Sequence, residues 1–351
     1  MKKLLPTLRL SLDMTNVLAK IEHAGIKINL NTLDEIRNEY EHELTTIDKR
    51  LKQITNDVMG DTPINLNSAD DRSMLFYSRK VHNKDTWVRI FNIGHEMRGA
   101  TRKVKMRSRM SKTAFAKNIR NNTEVVRKTT GYQCSTCEGV GRVRFRLKNG
   151  ELGKANRLCK PCNATGMIYV KSKEVAGLRI LPRNTKDVAQ AGFKTDKTTL
   201  EDMLPSLSGA AKEFVELYVR YSALRTYLST FVEGMENNVD ENSFIHPEFM
   251  QCITATGRLS SRNPNFQNMP RGSTFRIRKV VESRFEGGSI IEGDYSQLEF
   301  RVAGFLANDS QIYKDVEDGV DVHAYTASVI GCDRQTAKAD TFKPLYGGVT
   351  G

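Results

Sequence analysis

The chain has no apolar run long enough to cross a bilayer, so a membrane partner is not expected. Met1 to Leu10 starts like a secretory leader, but Pro6 and Arg9 interrupt it and no apolar core follows. Residence in the cytoplasm is the expectation. Cysteine is scarce, six in 351 residues, and four of the six fall in two Cys-x-x-Cys pairs. In a reducing compartment that spacing points to a bound metal and away from disulfides. Acidic residues are most heavily outnumbered over one stretch. Residues 84–197 hold 27 Lys and Arg against 8 Asp and Glu, an excess of 19 in a chain of net charge +13, so the remainder is negative by 6. The densest part is Thr101 to Lys112. A concentrated excess of this kind calls for a polyanion, with nucleic acid as the first candidate.

What is present is an ordinary globular composition, 39% hydrophobic and 27% charged, in a chain long enough for two or three domains. Leu10, Met14, Val17, Leu18 and Ile21 recur at helical spacing up to Gly25, a natural residue to end a helix. Ile26 and Ile28 alternate as a short strand. Thr32-x-x-Glu35 reads as a capping box. It precedes a long amphipathic helix striped by Leu33, Ile36, Tyr40, Leu44, Ile47, Leu51 and Ile54. Thr198-x-x-Glu201 reads as a second capping box, ahead of a helix striped by Phe214, Leu217, Tyr221, Leu224, Leu228 and Phe231. A narrow stripe suits a helix packed on one partner, so the two long helices are expected to pair antiparallel.

Cys134-Ser-Thr-Cys137 and Cys159-Lys-Pro-Cys162 can supply four thiolates in a tetrahedron, the closed arrangement of structural zinc. Such a site has no open position for catalysis. Gly139, Gly141 and Gly166 follow the knuckles, where the backbone must turn tightly. Between them Val143, Phe145 and Leu147 alternate with Arg142, Arg144 and Arg146, a strand with one apolar and one basic face. Asn149-Gly150 then supplies a hairpin turn. The knuckles resemble the CxxCxGxG pattern of J-domain co-chaperones, except that Ala164 stands where the second would carry glycine.

Three segments of the last hundred residues concentrate chemistry. Thr254 to Pro270 crowds Arg258, Arg262, Asn265, Gln267 and Asn268 into a turn-rich stretch. Guanidinium and amide groups at that density suit phosphates and base edges. Ser289 to Arg301 places Ile290 and Ile291 before Asp294. This reads as a short buried strand ending on a carboxylate, a rigid mount for a hard divalent cation. Arg334, Lys338, Phe342 and Tyr346 recur every four residues. On a helix they share one face, two cations and then two aromatics, which suits a triphosphate and a base.

TGRLSSRNPNFQNMP, DYSQLEFR, DVHAYTA and RQTAKADTFKPLYG, in this order and spacing, resemble the polymerase domain of family A (DNA polymerase I-like) DNA polymerases. KIEHAGIKINLNTLDEI and GFKTDKTTLEDML extend the resemblance to most of residues 8–83 and 190–351, with the cysteine-bearing segment outside it. The resemblance implies an α+β chain, an incomplete right-hand polymerase fold with a small four-cysteine zinc insert. The start of the palm and the first thumb helices would span 1–83, and the basic zinc insert at the thumb tip 84–197. Returning thumb helices would span 198–240, the palm 241–310 and partial fingers 311–351.

The implied activity is that of a DNA-directed DNA polymerase subunit, a nucleotidyltransferase extending a primer 3′-end by two-metal phosphoryl transfer. On that resemblance Asp294 and the Tyr295 carbonyl bind two magnesium ions, and Glu299 closes the sugar pocket. Gln297 reaches the nucleotide and minor groove, while His323, Arg334 and Lys338 hold the incoming dNTP. Phe342 lies against its sugar and base, and Tyr346 sits at the templating position. Arg258, Asn265, Gln267 and Asn268 contact primer-template DNA. Lys343-Pro344 implies a bend after Phe342.

The family's second catalytic carboxylate comes from a later His-Asp-Glu motif, and this sequence contains no His-Asp pair. A split polymerase of bacteriophage type is therefore expected, completed by a second polypeptide and working in the host cytoplasm. Its palm and fingers would leave apolar surface exposed, and its thumb insert would be open to a processivity or replisome protein. The alternative is a non-catalytic DNA-binding or regulatory fragment of a polymerase.

Overall fold

A computed structural model describes residues 5–93, 110–146, 152–254, 256–270 and 275–343. The chain divides into two compact units, Met1–Arg284 and Phe285–Gly351. The first opens with α1 (Leu5–Ala24), β1 (Ile26–Ile28), α2 (Leu30–Met59), α3 (Ala69–Tyr77), β2 (Arg79–Val81) and α4 (Lys84–Phe91). It continues with α5 (Lys112–Asn122), β3 (Thr123–Val125), β4 (Arg127–Gln133), β5 (Arg142–Arg146), β6 (Leu152–Leu158) and β7 (Met167–Val175). After β8 (Val188–Ala189) and β9 (Gly192–Phe193) come α6 (Lys197–Met203), α7 (Gly209–Tyr227) and α8 (Glu233–Glu236). Short strands β10 (Phe244–Ile245), β11 (Glu248–Met250), β12 (Ser260–Arg262) and β13 (Val281–Glu282) close the unit. β1 lies between β10 and β13 in a small antiparallel sheet.

The two long helices pair as their stripes predict. Leu33, Ile36, Leu51 and Ile54 of α2 share one buried core with Phe214 and Leu224 of α7 and Phe76 of α3. Phe76 meets the rings of Phe214 and Tyr218 edge-on, each at 5.5 Å. Three ion pairs give the direction: Arg37 with Glu236, Glu43 with Arg220, and Arg50 with Glu213. The partner number falls as α2 rises, so the helices run antiparallel.

Local details depart from expectation. Neither capping box caps. The Asn29 side chain accepts from Thr32 N at 3.0 Å and opens α2, and Asp196 accepts from Thr199 N at 3.1 Å and opens α6. In each case an Asn or Asp upstream places its oxygen on the free amide of the third helical residue, and the threonine is already inside the helix. The helix of α7 is also not continuous to Phe231. It passes through a π-helical turn, Leu228–Val232, which widens the spiral and rotates the buried face onto Tyr227, Leu228 and Val232. The stripe of α1 buries Leu18 alone, while Leu10, Val17 and Ile21 are exposed.

Residues 84–197 do not share one environment. Trp87 and Phe91 of α4 bury in the helical core, Trp87 against Phe193 of β9 and Phe91 against Trp87 and Phe115, and Trp87 Nε1 donates to Ala189 O at 2.9 Å. Only β4 to β7 has a separate centre, formed by the four cysteines with Val143 and Ile168 against them. This ribbon is joined to the end of α2 through backbone. Asp61 N donates to Thr129 O at 2.9 Å, Gly131 N to Asp61 Oδ2 at 2.7 Å, and Gly177 N to Val58 O at 2.9 Å. A Cβ on Gly60 would lie 2.3 Å from Thr129 O, so the close approach requires glycine there. β5 and β6 pair antiparallel as a hairpin. Leu147, Asn149 and Gly150, and nearly all of Thr101 to Lys112, lie outside the described residues.

The second unit contains α9 (Leu298–Ala307), α10 (Ser310–Glu317), α11 (Val322–Ile330) and α12 (Arg334–Phe342). The buried strand expected before Asp294 is absent among the described residues. Ile290 and Ile291 lie in open chain, and Ile291 is 92% exposed. An apolar run becomes a buried strand only when a neighbouring strand takes its N–H and C=O groups, and none of the described residues does so. Phe285, Tyr295, Phe305, Leu306, Tyr325 and Val329 are exposed too, the open apolar surface that the sequence predicts. Pro344 and Tyr346 lie outside the described residues, so the bend and the aromatic at the templating position are not placed. Among the described residues no helix is long and apolar enough to cross a membrane.

Candidate functional site

Two turns that repeat one another bring the cysteines together. Cys134 N donates to Gly166 O and Cys159 N to Gly141 O, both at 2.9 Å. Gly141 N points at Cys137 Sγ from 3.2 Å, and Gly166 N at Cys162 Sγ from 3.3 Å. Glu138 and Asn163 share φ of 49°, and Gly139 at 84° is matched by Ala164 at 63°. The missing glycine is thus replaced by an alanine in the same left-handed conformation, at a cost of about 1–2 kcal/mol. The four sulfurs lie within 4.8 Å of one another, with Cys134 to Cys159 at 3.8 Å and Cys137 to Cys162 at 3.6 Å. Metal–sulfur bonds of about 2.3 Å require tetrahedron edges of about 3.8 Å, so the four cysteines can hold a metal. Burial opposes ionisation at Cys134, but the Thr136 and Cys137 N–H groups outweigh it and bring the thiol down to about 7. Burial pushes Cys159 up to about 12. Among the described residues these cysteines form the one group of three or more His, Cys, Asp or Glu arranged to share an ion.

In the second unit Asp294 and Tyr295 are exposed, just ahead of Gln297, whose left-handed backbone (φ 52°) opens α9. Gln297 Nε2 donates to Val320 O at 3.1 Å, which ties the start of α9 to the lead into α11. Its Oε1 is buried without a hydrogen-bond partner among the described residues. Glu299 is half-buried in the first turn of α9, where the helix dipole favours a carboxylate.

The structure does gather the basic and aromatic set. Asp321 caps α11, accepting from His323 N at 3.0 Å and Ala324 N at 3.1 Å. Its other oxygen takes Arg334 Nε at 2.7 Å. His323 is buried, edge-on to Phe342 at 5.1 Å, with no hydrogen-bond partner for Nδ1 among the described residues. Burial holds its imidazole below the usual range; Arg334 and Lys338 push the same way and Asp321 opposes them. Arg334 is exposed, and Lys338 and Phe342 are half-buried. A neutral imidazole, two cations and an aromatic edge on adjoining helices can grip an anionic, partly aromatic ligand. Asp321 was not singled out in the sequence, although an Asp at the start of a helical run is a recognisable cap.

In the first unit Asn265 has a structural task. Its Oδ1 accepts from Asn268 N at 3.2 Å and Ser261 Oγ at 3.0 Å, capping the turn Phe266–Asn268. Arg258, Gln267 and Asn268 are exposed. Glu248, also unread in the sequence, takes Arg262 Nε and Asn263 Nδ2, each at 2.7 Å, across β11 and β12.

DNA polymerase I of Streptococcus pneumoniae is 34% identical over 166 residues, 44% of this chain and 19% of that protein. The thermostable DNA polymerase I of Thermus filiformis is 36% identical over 170 residues, 44% of this chain and 20% of that protein. The chain spans about a fifth of the length of these curated relatives. The POL domain of Pol1 from M. smegmatis, in complex with DNA primer-template and dNTP, is similar in fold. Its TM-score is 0.51 at 20% identity, covering 96% of this chain and 42% of that one. The sequence model of DNA polymerase family A matches residues 171–350, just over half of the chain, which therefore belongs to that family.

Proposed function

We propose that this chain is the part of a template-directed DNA polymerase that carries the first catalytic carboxylate and the nucleotide-gripping helix. Residues outside this sequence would supply the second carboxylate and the rest of palm and fingers. The observation that carries the reading is the convergence of His323, Arg334, Lys338 and Phe342 in the unit that also holds Asp294. Arg334 and Lys338 bind the triphosphate of a dNTP, and neutral His323 offers it a hydrogen bond without adding charge. Phe342 lies against the sugar and base, and Glu299 limits the space beside the sugar. Asp294 and the Tyr295 carbonyl are the magnesium ligands. The ions, when bound, activate the primer hydroxyl and stabilise the leaving pyrophosphate. One carboxylate does not complete such a site, so residues beyond this sequence supply the partner strand, and in the bacteriophage-type arrangement a second polypeptide carries them. Arg258, Gln267 and Asn268 contact the primer-template. Cys134, Cys137, Cys159 and Cys162 hold a structural zinc, which the edge lengths of 3.6 and 3.8 Å support.

Primer extension tests the reading. The chain is assayed alone, then with a polypeptide carrying a His-Asp-Glu palm half, then as Asp294→Ala with that polypeptide. Extension is expected only from the second mixture. Full extension by the lone chain would refute the two-chain arrangement, and full extension with Asp294→Ala would refute the metal assignment. Primer-template binding with no extension in any mixture would favour the non-catalytic alternative.

A further inference from the structure

We propose that the outer face of the β5–β6 hairpin, carrying Arg142 and Arg144 with Lys160 at the tip of the second knuckle, is a contact surface for the phosphates of duplex DNA. The polymerase reading enters only in naming the duplex.

Four observations support it. First, the face points outward. Val143 packs against the cysteines, so its neighbours Arg142 and Arg144 project from the opposite side, and both are exposed. Pairing places Leu158 beside Arg142 and Asn156 beside Arg144, so the row of cations is flanked by an exposed leucine and an amide. Second, the cations are uncompensated. Residues 127–175 hold 11 Lys and Arg against 3 Asp and Glu. Lys128 pairs with Glu174 at 3.2 Å. No carboxylate among the described residues lies within ion-pair distance of Arg142, Arg144 or Lys160. Three arginines of the α2–α7 helix pair and its extension differ: Arg37, Arg50 and Arg220 each hold a glutamate. A surface built only for solubility would intersperse both signs.

Third, the spacing fits. Alternate residues of a strand are about 6.8 Å apart, about two phosphate steps along the axis of one DNA strand. Fourth, the mount is stiff. The knuckles fix one end of the ribbon, and the backbone bonds of Asp61 and Gly177 fix the other to α2. A stiff mount keeps the entropic cost of docking low. An acidic protein partner would need the same charge but would have no use for a regular row, so the duplex is the better occupant.

The test uses the full chain and a fluorescently labelled primer-template duplex, with binding followed by anisotropy across a salt series. Each lost phosphate contact should flatten the slope of log affinity against log salt by about 0.9, so Arg142→Ser with Arg144→Ser should flatten it by about 1.8. Arg142→Lys with Arg144→Lys should keep the slope. Lys112→Ser with Lys117→Ser, a matched charge loss on α5, should also keep it. Metal content measured on each variant confirms that the knuckles stay folded. An unchanged slope in the Arg-to-Ser variant overturns the proposal and leaves the face to an acidic protein. An equal flattening in the α5 control overturns it as well, because net charge would then explain the effect. If the unmodified chain does not bind the duplex even at low salt, the polymerase reading itself fails. Binding with an unchanged slope removes this inference alone.

Discussion

The α2–α7 helix pair and the β4–β7 ribbon are neighbours in one unit, yet different physics holds each together. The helix pair buries a continuous apolar core, with Leu33, Leu51, Phe76 and Phe214 at 0–1% exposure. Three of its arginines, Arg37, Arg220 and Arg50, are neutralised by Glu236, Glu43 and Glu213. The ribbon has two apolar residues against four cysteines, and its outer cations Arg142, Arg144 and Lys160 have no carboxylate within ion-pair distance among the described residues. A segment this small cannot bury enough apolar area to offset its own ordering entropy, so it must be stapled. The difference teaches that charge left without a carboxylate on a scaffold built around four cysteines is available for a partner, while charge paired on an apolar core is spent on packing.

Removing the metal should break the comparison most sharply. Structural zinc supplies roughly 10–16 kcal/mol of apparent free energy in small zinc domains. Chelation, or Cys134→Ser with Cys159→Ser, should open residues 127–175 to proteolysis while α2 and α7 stay protected from hydrogen exchange. Equal protection of the ribbon after chelation would show that the cysteines are not its staple.

Phe76→Ala attacks the other side. Phe76 is fully buried against Phe214 and Tyr218. Its loss should cost about 3–5 kcal/mol in denaturant unfolding, with metal content unchanged. Asp187→Asn is a smaller probe of the loop that returns the chain to α6. Asp187 is 2% exposed and accepts from Arg183 N at 2.7 Å and Arg183 Nη2 at 3.0 Å. Weakening those charge-assisted bonds should cost about 1–3 kcal/mol on the same measurement.

The smallest effect is the exposed pair of Arg50 and Glu213. The hydrogen bond from Arg50 holds the Glu213 carboxyl below its usual value. Its folded value is depressed, so the contribution is present above the unfolded carboxylate pKa and is lost as pH falls through the lowered folded value. The gap in melting temperature between the unmodified chain and Arg50→Gln should be modest at neutral pH and should close in acid. A gap that widens in acid would reverse the assignment.

Much of this was legible along the chain. The stripe of α2 is local and dense, so Leu33, Ile36, Leu51 and Ile54 were found inside where period alone placed them. The cysteine spacing announced the knuckles, and the four-residue step from Arg334 to Phe342 announced the face of α12. Other features were misread because they depend on competition. Thr32 and Thr198 looked like caps, but Asn29 and Asp196 open each helix earlier by accepting from Thr32 N and Thr199 N, which leaves both threonines inside the first turn. Ala164 looked like a defect in its knuckle, but it adopts the left-handed backbone there, while the close carbonyl contacts that demand glycine fall at Gly141 and Gly166.

Taken alone, the sequence determined the two long helices, the knuckles, the basic excess and the family motifs, because each is written in neighbouring residues or a short period. Tertiary structure decided which apolar stripes are buried and which cations are neutralised. It also decided where the π-turn rotates α7 and whether Ile290 and Ile291 have a strand beside them. Those outcomes depend on which distant group arrives, and a backbone N–H or an apolar face records its need for a partner without recording the partner's identity.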